Sequence, residues 1–413
     1  MDTPSKPNAI LGRLRQPGPK KILACDGGGI RGLISLGILA KLEADLRYAF
    51  NEPGLLLGDY FDFICGTSTG GIIATCLSCG MAVDEVVRFY RDNGSSMFER
   101  AKWYLQLHEK YGAEPLAELL KKVLNCQLHG PGYIYHESDP AVELGDQRLK
   151  GLLMLVMRNH STDSPWPVCN NPLAKYNQPE LPDCNLRLPL WKLVRASTAA
   201  PTFFPPEVMT FAEGTEDAYQ FLFVDGGITT YNNPAYLAFQ MATAAPYHIQ
   251  WPTGVEQMLI VSIGTGNAPS RRENVKADDL WLLDHAKSIP AALMNAATAG
   301  WDMVCRTLGE CRFGGEIDSE FGAMLMPPGG SSDPATANWT GPKQFAYVRY
   351  DPLTTQEQLN ELGLSEVSEA SMQKMDDVKM INTLYQLGQT YATRYLDLSH
   401  LEGFVPAAAL PLP

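Results

Sequence analysis

The sequence predicts an α/β fold, and three observations carry that expectation. The first is "KILACDGGGIRGLISLGILAKLEADLRYAF" from residue 21, where a short apolar run ends at Asp26 and three glycines and is followed by apolar positions at helical spacing. The second is "YFDFICGTSTGGIIATCLSCG", which repeats the order of strand, small-residue turn and helix. The third is size and composition: 413 residues, 45% of them apolar, can bury a substantial core. A strand that feeds a glycine turn and then a helix is the opening unit of an α/β domain.

The elements follow in chain order. Residues 1–19 have positive charge but no apolar stretch of signal-peptide type, and read as a flexible N-terminal segment. After the two strand-turn-helix units, "VDEVVRFYRDN" and "AEPLAELLKKVLN" read as amphipathic helices. "LKGLLMLVMRN" returns to strand, whereas "STDSPWPVCNNPLAKYNQPELPDCN" is too rich in Pro and Asn for either element. "LWKLVRASTAA" reads as a helix stopped by Pro201, and "FLFVDGG" and "QMLIVSIGTG" as strands running into glycines. From "DDLWLLDHAKSIPAALMNAATAGWDMVCRTLG" onward the chain reads mostly helical, with Pro290 as a kink or break. One late strand, "QFAYVRYD", follows the loop "PPGGSSDPATANWTG", and "VPAAALPLP" reads as a frayed tail. There are no internal repeats and no long linker. The expected division is a core over 20–270, a helical C-terminal part over 271–400 packed on the same domain, and a Pro-rich tail over 401–413.

Composition narrows the partners. With 33 basic and 46 acidic residues the net charge is −13, which argues against a nucleic-acid partner and against purely electrostatic docking on anionic lipid. Membrane contact would have to be mainly apolar. Nine scattered cysteines, an odd number, with no signal peptide point to free thiols in a reducing, cytoplasmic setting. Cys76-x-x-Cys79 has no second Cys or His pair nearby and lies in the apolar run "GIIATCLSCG", so both read as buried structural residues rather than metal ligands. No run of about 18 apolar residues predicts a membrane-spanning helix.

Three short motifs carry chemistry. Gly27-x-Gly29-x-x-Gly32 can be a dinucleotide fingerprint, with Glu43 or Asp45 near the spacing that binds ribose. The same glycines, Gly27 to Gly29, can instead aim backbone N–H groups at an oxyanion. Gly66-Thr67-Ser68-Thr69-Gly70 places a serine where a strand turns sharply into a helix, which needs small residues two positions either side and exposes the hydroxyl at a helix N-terminus. Asp225, at the end of a strand before two glycines, is a carboxylate placed to serve as a base. The nucleotide reading leaves Ser68 and Asp225 unexplained; the oxyanion reading uses all three.

These motifs resemble the patatin-like phospholipases: "DGGGIRG" is similar to their oxyanion loop, "GTSTG" to their nucleophile elbow and "DGG" at 225–227 to their aspartate motif. "LWKLVRASTAAPTFFPP", "FVDGGITTYNNPA", "VSIGTG" and "MDDVKMINTLYQLGQTYA" look like further segments of the soluble, plant-patatin-like branch, so the similarity spans roughly residues 20–393. The resemblance implies a three-layer α/β/α sandwich with a mostly parallel central sheet and a helical C-terminal extension. It implies a lipid acyl hydrolase, a phospholipase A or carboxylic ester hydrolase, working through an acyl-enzyme. Ser68 would be the nucleophile and Asp225 the base, in a dyad without histidine. Gly27, Gly28 and Gly29, with Arg31 nearby, would form the oxyanion hole, and Gly66 and Gly70 the elbow. It implies a lipid or ester substrate, peripheral contact with a membrane or lipid aggregate, and no cofactor or metal.

Two other classes remain at this point. An α/β-hydrolase also places a glycine loop before G-x-S-x-G, and its order Ser, Asp, His could be filled by Ser68, Asp225 and His248, His285 or His400. A non-catalytic storage protein on the same fold is the third, and nothing in the intact motifs favours it.

Overall fold

The run "KILAC" forms strand β1 (Lys20–Cys25) in the middle of the sheet, in a computed structural model that describes residues 9–97, 112, 114–267, 282–317, 320, 322–325, 341–372 and 374–410. Over 282–291 only the helical backbone is described. Ile22, Leu23, Ala24 and Cys25 are all fully buried, as befits a parallel strand covered on both faces. The other strands are β2 (Phe63–Thr67), β3 (Leu152–Asn159), β4 (Ser164–Cys169), β5 (Glu207–Phe211), β6 (Tyr219–Asp225), β7 (Met258–Ile263), β8 (Glu310–Phe313) and β9 (Ala346–Tyr350). They form one sheet in the order β5-β6-β3-β2-β1-β7-β9-β8, with β4 paired to β3 off that path.

The side-chain period of a strand makes this sheet the middle of three layers. Leu23 and Cys25 of β1, with Ile64 and Leu155, join one apolar cluster; Ile22 and Ala24, with Phe63 and Met154, join another on the opposite face. The first cluster is covered by α2 (Gly32–Ala49), α4 (Thr69–Ser78), α5 (Val83–Met97), α6 (Glu114–His129), α7 (Leu190–Ser197) and α12 (Ile381–Tyr395). The second takes residues from α1 (Ala9–Leu14), α8 (Ala235–Thr243) and α9 (Leu282–Leu308). Short helices α3 (Leu57–Tyr60), α10 (Gln356–Glu361) and α11 (Glu369–Met372) lie in the connections. The expected α/β/α sandwich is thus the observed architecture. Helices α2 and α12 approach closely through two glycines: a Cβ on Gly388 would stand 2.1 Å from the Ile34 carbonyl oxygen, and one on Gly37 2.5 Å from that of Tyr385.

Strand direction is where the sheet departs from a simple parallel plan. β1, β2, β3, β7, β8 and β9 run parallel to one another, but β4 and β6 are antiparallel to β3, and β5 is antiparallel to β6. Strand β4 occupies one side of β3 over residues 154–159. On the other side β2 pairs with residues 152–156 and β6 with 157–159, so β2 and β6 meet end to end. Thr67 lies opposite Val156, and Asp225 opposite Met157.

Several expectations are corrected. The irregular stretch after residue 160 contains strand β4, whose Pro165 and Pro167 are tolerated because, among the described residues, β4 pairs with β3 alone. Strand β5, within 20–270, and strand β8, which joins the expected late strand β9 in the mostly helical C-terminal part, are additions to the expected elements. Helix α9 runs through Pro290 without a break. In the N-terminal segment, Ile10 and Leu14 of α1 are buried, and the Arg13 guanidinium donates to the carbonyls of Lys150, Gly58, Asp59 and Phe61. In the tail, Phe404 and Val405 are buried; residues 1–8, residues 326–340, on which nearly all of the expected loop falls, and residues 411–413 lie outside the described residues. Cys76 and Cys79 are buried and unpaired. Among the described residues no helix is long and apolar enough to cross a membrane.

Candidate active site

Ser68 sits at the N-cap of α4 with φ 55° and ψ −124°, a left-handed backbone that non-glycine residues rarely adopt. Crowding explains the glycines around it. A Cβ on Gly66 would lie 2.0 Å from the Gly70 oxygen, and one on Gly70 would lie 2.1 Å from the Cys25 oxygen. The strained residue is held from behind by Ser197, whose hydroxyl accepts from the Ser68 N–H at 2.9 Å and donates to the Val156 carbonyl at 2.7 Å.

Asp225 ends β6 against this elbow. The Ser68 hydroxyl donates to Asp225 Oδ2 at 2.6 Å, and the Gly227 N–H donates to Oδ1 at 2.6 Å. Burial pushes the Asp225 carboxyl up to about 6, against the opposing pull of the Ser68 and Gly227 hydrogen bonds and of Arg195. Each residue is nearly enclosed, at 9% exposure for Ser68 and 4% for Asp225.

The glycine loop closes the third side. Asp26, just before it, is fixed by a buried ion pair with Arg349 at 2.6 Å. The Gly27 N–H is taken by the Asn232 carbonyl, so it is not a donor to the cavity. The N–H groups of Gly28 and Gly29 have no acceptor among the described residues, and both glycines line the cavity beside Ser68. Gly29 has φ +60°, and the following Ile30 N–H is anchored on the Met375 carbonyl at 2.8 Å. A Cβ on Gly28 would stand 2.3 Å from the Thr265 hydroxyl, which itself donates to the Gly27 carbonyl. Arg31 does not line the cavity: its guanidinium donates to the carbonyls of Gly28 and Gly266, bracing the loop from outside.

The cavity has a volume of about 620 Å³ and a mainly apolar lining, with Ile72, Met97, Leu116 and Phe204 beside Ser68 and Asp225. No histidine lines it among the described residues. His400 bonds the Tyr350 hydroxyl and stacks on Phe313; His248 occupies a left-handed turn; the His285 side chain lies outside the described residues. The ribose-binding spacing also dissolves. Glu43 caps two helices through the N–H groups of Leu57 and Val83 and pairs with Arg47, and Asp45 pairs with Lys41.

Residues 23–239, which include the glycine loop, the elbow and Asp225, match the family model described as patatin-like phospholipase. The chain belongs to the patatin-like phospholipase family. This patatin-like chain is 28% identical over 293 residues to Patatin-17 of Solanum cardiophyllum, an alignment covering 67% of this chain and 69% of that one. It is 29% identical over 278 residues to Patatin-like protein 2 of Oryza sativa subsp. japonica, covering 63% and 64%. Among solved structures, human GIVD cytosolic phospholipase A2 aligns over 96% of this chain and 62% of its own, with 12% identity and a TM-score of 0.41. Family membership supports a lipid acyl hydrolase activity for the patatin-like chain.

Sequence reasoning missed the supports of this patatin-like site. Ser197 lies in "RASTAAP" and Asn232 in "YNNPA", but nothing in either string says that one holds the elbow and that the main-chain carbonyl of the other holds the oxyanion loop. Thr265, in "SIGTG", gave no signal of its contact with Gly28.

Proposed function

We propose that the protein is a serine-dependent lipid acyl hydrolase, a phospholipase A or carboxylic ester hydrolase, using a Ser68–Asp225 dyad and an acyl-enzyme intermediate. The observation that carries this reading is the direct 2.6 Å hydrogen bond from the Ser68 hydroxyl to Asp225 in the wall of a mainly apolar cavity. Asp225 takes the Ser68 proton as Oγ attacks the acyl carbon. The uncommitted N–H groups of Gly28 and Gly29 receive the negative charge that develops on the carbonyl oxygen, each such donor being worth about 10² to 10³ in rate. Asp225 then delivers its proton to the leaving alcohol, and water releases the acyl group by the reverse sequence. Arg31 contributes by holding the Gly28 carbonyl, which orients the loop. No metal or cofactor enters these steps.

The substrate side of the reading rests on the lining. An acyl chain fits the apolar stretch beyond Ser68, and Ile228, on the cavity wall, and Leu293 are both exposed, which suits apolar contact with a lipid aggregate. We read 20–270 as the catalytic core, with the C-terminal part completing it through Met375. The test is purified protein on a panel of phospholipids, galactolipids, glycerides and p-nitrophenyl esters, beside Ser68→Ala. Wild type alone should hydrolyse esters and react with a fluorophosphonate probe. Turnover by Ser68→Ala within about tenfold of wild type would remove the assignment.

A further inference from the structure

Hydrolysis of an acyl-enzyme is faster where a second hydrogen-bond acceptor, besides the base, orients the attacking water. The attacking water passes one proton to Asp225, but its other proton also needs a partner while the oxygen attacks. In the cavity, Asp225 Oδ1 already accepts from Gly227, the Thr69 hydroxyl is paired with that of Tyr90, and the Thr198 hydroxyl is turned toward the Val194 carbonyl, to which it donates.

Asn232 is different. It is 4% exposed, and its Oδ1 has no hydrogen-bond partner among the described residues. The amide orientation is fixed by chemistry, because its Nδ2 faces the Gly27 carbonyl, which can only accept, and also reaches the Thr298 hydroxyl at 3.0 Å. Oδ1 therefore points the other way, toward the dyad. It lies 2.4 Å from the point a Gly27 Cβ would occupy, with Ser68 Cβ 3.2 Å from the same point. It also lies 3.1 Å from the corresponding point on Gly227, as does Asp225 Oδ1. Asn232 lines the 620 Å³ cavity together with Ser68 and Asp225. The backbone around Asn232 is pinned at both ends, by the Thr67 hydroxyl on the Tyr231 carbonyl and by the Gly27 N–H on its own.

We propose that Asn232 positions the water that hydrolyses the acyl-enzyme, with its Oδ1 accepting one water proton while Asp225 takes the other. This rests on the acyl-enzyme reading above. In balance, the water oxygen bonds to the acyl carbon and one proton moves to Asp225. The bond from Ser68 Oγ to the acyl carbon then breaks, Asp225 returns the proton to Oγ, and a carboxylic acid leaves carrying the water's oxygen and second proton. Asn232 thus serves deacylation and contributes little to acylation, for which the nucleophile is Ser68 itself.

The experiment separates the two half-reactions. Protein is acylated with a p-nitrophenyl ester, the nitrophenol burst gives the acylation rate, and mass spectrometry follows the decay of the Ser68 acyl adduct. Asn232→Leu, close in size and without the acceptor, should keep its burst rate within about threefold and slow adduct decay about tenfold, the worth of one well-placed hydrogen bond. Asn232→Ala, which opens space instead of filling it, should show the same split and decides the matter if the leucine variant does not fold. Burst and decay falling together would mean that Asn232 only holds the Gly27 loop, and unchanged decay would mean that it holds no water; either overturns the proposal. Failure of wild type to form any acyl-Ser68 adduct would instead overturn the proposed function.

Discussion

Asp225→Asn should abolish hydrolysis and at the same time stabilise the fold at neutral pH. The carboxyl is pushed from an ordinary 3.8 up to about 6, chiefly by burial. Its neutral form is therefore the one the folded protein prefers. The sign follows from linkage: the contribution to stability is fully present below the unfolded value and is lost as pH rises through the folded one. Above about pH 6 the wild type carries a charge that folding disfavours, by a rise of about two pH units at about 1.4 kcal/mol each, or about 3 kcal/mol. An asparagine carries no charge and still fits. Its oxygen can accept from the Gly227 N–H, as Asp225 Oδ1 does, while its NH₂ donates to Ser68 Oγ with the hydroxyl turned around.

Urea unfolding of wild type and Asp225→Asn across pH 4 to 8 measures this. The variant should lead by about 3 kcal/mol at pH 8, and the lead should shrink steadily between about pH 6 and 4. Activity gives the converse reading, since the dyad needs Asp225 ionised: wild-type kcat should fall about tenfold for each pH unit below about 6. A variant less stable than wild type at pH 8, or a lead that does not change with pH, would refute the argument that the site stores the cost of a buried charge.

Three further outcomes are expected. His248→Ala, His285→Ala and His400→Ala should each retain activity within about threefold, where loss of a triad histidine would cost on the order of 10³ or more; steady-state kinetics on folded variants decides. Gly388→Val should destabilise by about 3 kcal/mol in thermal or urea melts, because its Cβ would stand 2.1 Å from the Ile34 carbonyl oxygen across the α2–α12 contact. Gly28→Val should lose about 10² to 10³ in kcat, because its Cβ would stand 2.3 Å from the Thr265 hydroxyl and force the loop to move; adding Thr265→Gly should recover part of the loss.

The elements that sequence made legible are those whose signal is local. "KILAC" and "FDFIC" before small-residue turns are continuous apolar runs, and the glycines that follow mark where the chain must turn tightly. The motifs at Gly27 to Gly29, Gly66 to Gly70 and Asp225 were legible for the same reason, and the structure brings all three to one cavity. Strand direction was not legible, because a period of two is the same whichever way a strand runs, so "FLFVD" did not announce itself as antiparallel. "SPWPVC" concealed β4 because proline argues against a strand unless it lies at an edge, and edge position is a property of the sheet. "EVMTF" and "ECRF" are too short for periodicity to separate from loop. Arg31, adjacent to the glycines in sequence, braces them from outside, because sequence distance carries no information about which way a side chain turns.

The unread feature, the reversal of β6, is also the one that builds the dyad. Strand β2 ends at Thr67 opposite Val156, so its next residue, Ser68, would fall opposite Met157 if the strand continued. That place is taken by Asp225, arriving from the other direction along the same side of β3. Two residues cannot occupy one position in a ladder, and β2 must leave the sheet there. It does so through the left-handed turn at Ser68, with Ser197 holding the displaced N–H that would otherwise have continued the ladder to β3. The residue forced out and the residue that takes its place are necessarily neighbours, within reach of one hydrogen bond. In a wholly parallel sheet the carboxylate would end a separate strand about 4.8 Å to the side. A third group would then have to bridge the distance to the serine. Here the strand ends coincide, and the serine meets its base directly.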